Sequence, residues 1–329
     1  KGKASKIPKL GDKLLDLLKQ EEKLLKRADE VLNECHKKGY DIRFYTSSKF
    51  PRRVKAQEDG PVVLFTQGNG DLNFERGVGI VGTRSATNYG KTITRKIIED
   101  LLPYQPVIIS GLAYGIDIEA HRAALQVGLP TIAVMGSPIN QIYPAAHKKT
   151  AEQLQETGIL MSEYAPGSSM VPGNFPARNR IIAGLSDALI VVEAAEKGGA
   201  LITAEIAYSY DKEVFAVPGN LQSTFSEGCN QLIKKMKASI YTGPSDIADA
   251  LFWSKPGEEK ITKPTLDLLG RDEDEKAILL LLQEKGETEI DLISYAIDIP
   301  LGILSSKLLN LEFEGIVKSL PGKKFKLLV

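Results

Sequence analysis

Positive side chains set in loops of small residues are the first chemistry the sequence offers. Arg84 stands inside VGIVGTRSATNYG (78–90), where a run of strand-forming residues gives way to small and polar ones. Arg178 and Arg180 flank Asn179 in PGNFPARNRIIAGLSD (172–187), and Lys197 precedes Gly198 and Gly199 in VVEAAEKGGALITAEIA (191–207). A guanidinium fork can bond two phosphate oxygens at once, an ammonium adds a point charge, and main-chain N–H groups at a glycine turn add donors. Together they suit a phosphate-bearing ligand. Phe175, beside Arg178, offers a face on which a base could stack. The plainer alternative is that Arg178 and Arg180 pair with acids such as Glu163 or Glu193, and that Arg84 is salt-bridged at its loop.

Other chemistries find less support. Gly79 and Gly82 are three apart, which is not the GxGxxG dinucleotide fingerprint, and no acid ends the next strand-like run, PVIISG. Histidine occurs only at 36, 121 and 147, so neither a histidine metal site nor a Ser-His-Asp triad is indicated. Cys35 and Cys229 make no CxxC pair. No catalytic residue, metal or cofactor is expected. In SGLAYGIDIEAHRAAL (110–125), Asp117 and Glu119 fall in the first turn of a helix, where carboxylates compensate the dipole, and His121 reads as a helix histidine.

The elements that must position these residues follow from periodicity. From Gly77 onward, the runs VGIVG, PVIISG, PTIAVMG, GILMSEY, DALIVVEA, EVFAVPG and ASIYTG alternate with amphipathic segments such as GKTITRKIIEDLL and ALITAEIAYSYDK. Continuous apolar strands separated by helices predict an α/β fold, a doubly wound parallel sheet covered on both faces. Ligands of such sheets sit beyond the carboxyl ends of the strands, where the charged loops fall. The loop holding Arg84 should lead into a helix near Asn88 whose free N–H groups face that rim.

Around this core, residues 1–62 read as a basic N-terminal extension of a leucine-spaced helix and short strands, YDIRFYTSSKFPRRV among them. Residues 63–252 form the sheet domain and 253–264 a Pro- and Lys-containing linker. Residues 265–329 give three helices and a hairpin around Pro321-Gly322, the order of a winged helix. The chain carries 42 Lys+Arg against 42 Asp+Glu, so any nucleic-acid site must be a local concentration of charge. The start, KGKASKIPKL, is basic without the apolar core of a signal peptide, and no run approaches a membrane span, so a cytoplasmic protein is expected. The missing initiator Met suggests chain before Lys1.

Seven ordered segments carry a resemblance: GIVGTRSATNYG, ISGLAYGIDIEAHRAAL, TIAVMGSPINQIYP, FPARNRIIAGLSDALIVVEA, GGALITAEIA, VFAVPGN and GCNQLI. Their order and spacing resemble the DNA-processing protein A (DprA/Smf) family, strongly over residues 40–250, with the tail similar to the family's optional winged helix. The resemblance implies a Rossmann-like domain that binds single-stranded DNA without cleaving it. It also implies dimers that protect incoming DNA and load the RecA recombinase during natural transformation.

Carried over by position, Arg84 matches the phosphate-contacting arginine of a G-[ST]-R turn. Gly82, Thr83, Ser110 and Gly111 fall on phosphate-facing loops. Phe175, Arg178, Asn179 and Arg180 match an F..RNR segment. Lys197, Gly198 and Gly199 fall on a KSGS turn whose serines are replaced here by Gly198 and Ala200. His147, Lys148 and Lys149, after IYPAA, are further candidate contacts, and Tyr89, Tyr114 and Phe175 lie in loops suited to stacking. In the tail, Lys307 set against Glu312 and Glu314 makes a poor groove-reading helix, which leaves the Lys323-Lys324-Lys326 wing as the part suited to DNA. A rival reading is a nucleoside monophosphate phosphoribohydrolase, since GGALITAE is similar to that family's glycine-rich signature with Glu205 as the carboxylate.

Overall fold

A computed structural model describes residues 20–255, 271–320 and 322–328. The chain divides into two compact units, one through residue 256 and one from residue 257.

The first unit is built on a nine-stranded sheet. Its strands are β1 (Asp41–Phe44), β2 (Val63–Gln67), β3 (Gly77–Val81), β4 (Val107–Ser110), β5 (Thr131–Met135), β6 (Ile159–Ser162), β7 (Ala188–Val191), β8 (Glu213–Ala216) and β9 (Ser239–Ile240). They lie in the order β1-β2-β6-β5-β4-β3-β7-β8-β9. From β6 to β9 every pairing is parallel, and β2 and β1 close one edge antiparallel. All seven apolar runs after Gly77 are therefore strands of one Rossmann-like sheet. Each of β3, β4, β5, β6 and β7 is buried along its whole length, as strands covered on both faces must be.

Helices complete the layers: α1 (Glu21–Lys38), α2 (Arg52–Lys55), α3 (Asn88–Leu101), α4 (Ile116–Val127), α5 (Lys148–Thr157), α6 (Asn174–Leu185), α7 (Gly199–Ser209), α8 (Glu227–Lys234) and α9 (Pro244–Leu251). One core joins β7 and β8 to Ile181, Ile182 and Leu185 of α6 and Ala204 and Ala207 of α7. On the other face, Ile97, Ile98 and Leu101 of α3 pack with Ile116 and Ala120 of α4 over Ile80 and Ile108. Each buried Ile or Leu among them contributes about 1.5 to 3 kcal/mol on burial, so the two cores fix the face that these helices present.

Chain order runs outward from β3 through β4, β5 and β6, then returns to β7 on β3's other side. The crevice between β3 and β7 is thus the topological switch point, where open α/β sheets bind ligands.

Two details differ from the sequence expectation. Within YDIRFYTSSKFPRRV only Asp41–Phe44 is strand, while Arg52–Lys55 turns helical to bury Val54. Residues 21–62 also join the sheet domain, with β1 paired to β2. The expected linker lies outside the described residues from 256 onward, as does the extension up to residue 19.

The second unit is a winged helix: α10 (Glu273–Lys285), α11 (Ile290–Ile297) and α12 (Leu301–Phe313) with strands β10 (Thr288–Glu289), β11 (Val317–Leu320) and β12 (Lys324–Leu327). Its core gathers Ile278, Leu282, Ile293, Leu304, Leu308 and Val317. The hairpin gains a third strand, because Thr288 and Glu289 pair with Phe325 and Lys324. No single described helix is long and apolar enough to cross a membrane.

Candidate nucleic-acid interface

A cavity of about 250 Å³ opens at the switch point, lined by the loops after β3 and β7 and the first turns of α6 and α7. The β3 loop is fixed from two sides. Thr83 donates its amide to Glu193 O at 2.7 Å and accepts from the Ile116 amide at 3.2 Å. Two glycines allow this closeness: a Cβ on Gly82 would lie 2.4 Å from Ile116, and one on Gly115 would lie 2.1 Å from Thr83 O. Gly115 also has φ +80, a conformation side chains disfavour. Held on this clamp, Arg84 is exposed at the cavity wall.

The helix start expected to be free at α3 is partly taken. Glu193, buried at the end of β7's loop, accepts from the Thr87 amide at 3.0 Å and its hydroxyl at 2.5 Å, and Thr87 Oγ1 accepts from Gly90 N. That helix start is capped by protein. The helix start that opens on the cavity is α7, where Gly198 provides no side-chain cap and the Gly199 and Ala200 amides have no carbonyl partner among the described residues. Lys197, Gly198 and Gly199 form this wall, and Lys197 is exposed. Neither Arg84 nor Lys197 makes an ion pair among the described residues.

Arg178 also lines the cavity but lies within the protein, 4 % exposed. Its Nη1 donates to Gly111 O at 2.7 Å and to Val134 O. Burial draws the guanidinium down to about 10, with Asp117 opposing and Arg84 adding to the shift. Burial pushes the Asp117 carboxyl up, opposed by the Arg178 charge and by hydrogen bonds from the Ala113 and Gly111 main chain. Asp117 thus does more than compensate a dipole, since its charge favours the ionised Arg178 beside it in the cavity lining. Beneath them His121, fully buried, shares a 2.7 Å hydrogen bond with Thr131 Oγ1, and burial pulls it down to about 3.

An adjoining niche of about 40 Å³ is walled by Arg84, Gly111, Tyr114, Tyr143, Pro144, Phe175 and Arg178. Tyr143 and Phe175 have ring centroids 5.5 Å apart, and Tyr114 packs edge-on to His147 at 4.9 Å. Tyr114 and Tyr143 are about half exposed.

The sequence-predicted residues therefore separate. Gly82, Thr83, Arg84, Phe175, Arg178, Asn179, Lys197, Gly198 and Gly199 line the cavity, and Gly111 lines the niche. Ser110 departs from the expected phosphate-facing position, being fully buried with its hydroxyl donating to Ile80 O at 2.6 Å. Arg180 also departs from the rim: its two Nη atoms donate to the two Glu163 oxygens at 2.9 and 2.7 Å, and its Nε to Asp59 O. Lys148 and Lys149 are exposed in the first turn of α5, outside the cavity, and Tyr89 is exposed on α3 outside it as well. Tyr143 escaped the sequence reading; its only signal was an exposed-type aromatic in QIYP. Glu205, the carboxylate of the rival hydrolase reading, faces away from the cavity and bonds Lys237 at 2.5 Å.

Residues 41–252 match the model of the family described as DNA recombination-mediator protein A, and residues 262–323 match the DprA winged helix domain. The chain belongs to the DNA recombination-mediator protein A family. Among its relatives, Protein Smf of Synechocystis is 36% identical, with 90% of this chain and 82% of that protein covered. DNA processing protein DprA of Streptococcus pneumoniae is 42% identical over 62% of this chain and 72% of that one. The X-ray structure of DprA from S. pneumoniae superposes with a TM-score of 0.60 at 38% identity, covering 64% of this chain and 74% of that one. DNA processing protein A of Helicobacter pylori, solved with regard to its single-stranded DNA binding mode, gives a TM-score of 0.57 at 30% identity, covering 64% and 95%.

Proposed function

We propose that the switch-point cavity and its aromatic niche bind the sugar-phosphate backbone of single-stranded DNA without cleaving it. On this reading the protein is a cytoplasmic homodimer that shields incoming strands and delivers them to the RecA recombinase during natural transformation. The observation that carries the DNA reading is that Arg84 and Lys197, which make no ion pair among the described residues, stand on two walls of one cavity that Arg178 also lines. Open amides at the start of α7 add anion-directed donors, and Tyr114, Tyr143 and Phe175 supply faces for bases of any identity. Net neutrality is no obstacle, because counterion release follows local phosphate contacts. The relative from H. pylori, with its single-stranded DNA binding mode, supports the same ligand.

The test is a salt titration of a labelled single strand against the protein and its Arg84→Ala and Lys197→Ala variants. Each lost phosphate contact should lower the slope of log K against log salt by about 0.7. Unchanged affinity and slope in both variants overturns the reading. Light scattering reports the dimer, and RecA filament growth on coated DNA reports delivery.

A further inference from the structure

His147, expected from the sequence to meet the DNA backbone, turns inward instead and is 3 % exposed. Its Nδ1 lies 2.7 Å from Leu112 O. A carbonyl oxygen only accepts, so Nδ1 carries the hydrogen and donates it. Burial holds the imidazole below its ordinary range, the Leu112 hydrogen bond opposes this and Arg122 adds to it, so the ring is chiefly neutral at neutral pH. The side chain does not serve its own helix, since His147 stands at the N-cap of α5 and makes no capping bond there.

The acceptor belongs to a turn that needs holding. Leu112 has φ 59, a left-handed conformation that side chains disfavour and that persists only where neighbours fix it. Arg178 takes the Gly111 carbonyl, His147 takes the Leu112 carbonyl, and the Ile118 amide takes that of Ala113. The Leu112 side chain is fully buried in one core with Ile118, Ala151 and Leu154. Two residues on is Tyr114, half exposed on the niche, its ring T-shaped to the imidazole at 4.9 Å and 72°.

His147 thereby joins two loops through residues 35 apart in the chain. The loop after β4 carries Tyr114 and the loop after β5 carries Tyr143; both rings line the niche, and Phe175 packs on Tyr143. We infer that His147 is a positioning residue for base stacking: it ties the loop of Tyr114 to the loop of Tyr143 and sets the two rings for a base, without touching the strand itself. This rests on the single-strand reading above and adds to it a buried residue that the ligand never meets. The hydrogen bond carries the role, because it fixes the strained turn from which Tyr114 projects, and it can be removed separately from the ring contact. His147→Asn keeps an N–H donor near the place of Nδ1 and drops the ring, whereas His147→Phe keeps a ring beside Tyr114 and drops the donor.

The full chain and its variants, titrated with a labelled oligothymidylate and with a strand of equal length carrying abasic sites, test this; the ratio of the two affinities is the share that bases contribute. His147→Phe and His147→Ala should cut that ratio by about tenfold, the order that one stacked base contributes. The salt slope should stay, because the phosphate contacts do. His147→Asn should keep most of the ratio. A ratio that neither His147→Phe nor His147→Ala moves overturns the proposal, and so does one that falls only together with the salt slope, since His147 then supports the whole site. Nitrogen NMR of the parent imidazoles, which needs no variant to fold, should place the His147 hydrogen on Nδ1 at neutral pH; the other tautomer removes the donor and overturns the proposal. A parent protein that binds with a steep salt slope yet does not distinguish the two strands overturns it too, and leaves the phosphate reading in place. A parent that binds neither strand overturns that reading and this one with it.

Discussion

Asp117 Oδ2 and Arg178 Nη2 both border the space over Gly111. A Cβ on that glycine would lie 2.6 Å from Asp117 Oδ2 and 2.6 Å from Arg178 Nη2. A side chain at that position would displace one or both of these charged groups. Arg178→Ala leaves the Gly111 and Val134 carbonyls without their donor and the buried Asp117 carboxyl without its opposing charge, a loss of about 1 to 3 kcal/mol. Urea denaturation should show it, whereas Arg84→Ala, at an exposed site, should leave the midpoint in place while weakening DNA binding.

Stacking and charge separate in the same titration. Tyr143→Ala and Phe175→Ala remove faces of the niche and should each weaken single-strand binding by about 1 to 3 kcal/mol with the salt slope unchanged. A slope that falls with Tyr143→Ala would mean that the niche holds phosphate.

Arg180 and Glu163 should behave as a structural pair. Either Arg180→Ala or Glu163→Gln removes charge-assisted hydrogen bonds and costs about 1 to 3 kcal/mol. The double variant should cost little more than either one. Affinity for DNA, measured where the variants remain folded, should match the parent protein.

His121 gives the fold a dependence on acid. Its folded pKa, about 3, lies below the ordinary value of 6.5, so the unfolded chain takes up the proton first. Its contribution is complete above pH 6.5 and declines by about 1.4 kcal/mol per unit as pH falls from there toward 3. Asp117, shifted upward, acts in the opposite sense above its own ordinary value of 3.8. The difference between the stability profiles of the protein and of His121→Gln isolates the histidine; parallel profiles would show that it is solvated.

Much of this was legible in the sequence because it is local. Apolar runs ending in small residues gave the strands and, with them, the rim that holds Arg84 and Lys197. Arg178 and Arg180 could not be told apart, since two residues on a helix point to different sides and only packing says which side is cavity. Glu193 capping α3 and Tyr143 meeting Phe175 join segments 106 and 32 residues apart, contacts to which periodicity is blind.

Thr83 is bonded at both its amide and its carbonyl, so the main chain beneath Arg84 is already set before any ligand arrives. Capture then requires only a side chain to swing, and the ordering penalty falls on the nucleic acid. Encounter should be quick, governed by ionic attraction, and indifferent to base order. A protein meeting a long strand of unknown content needs a hand that is already open.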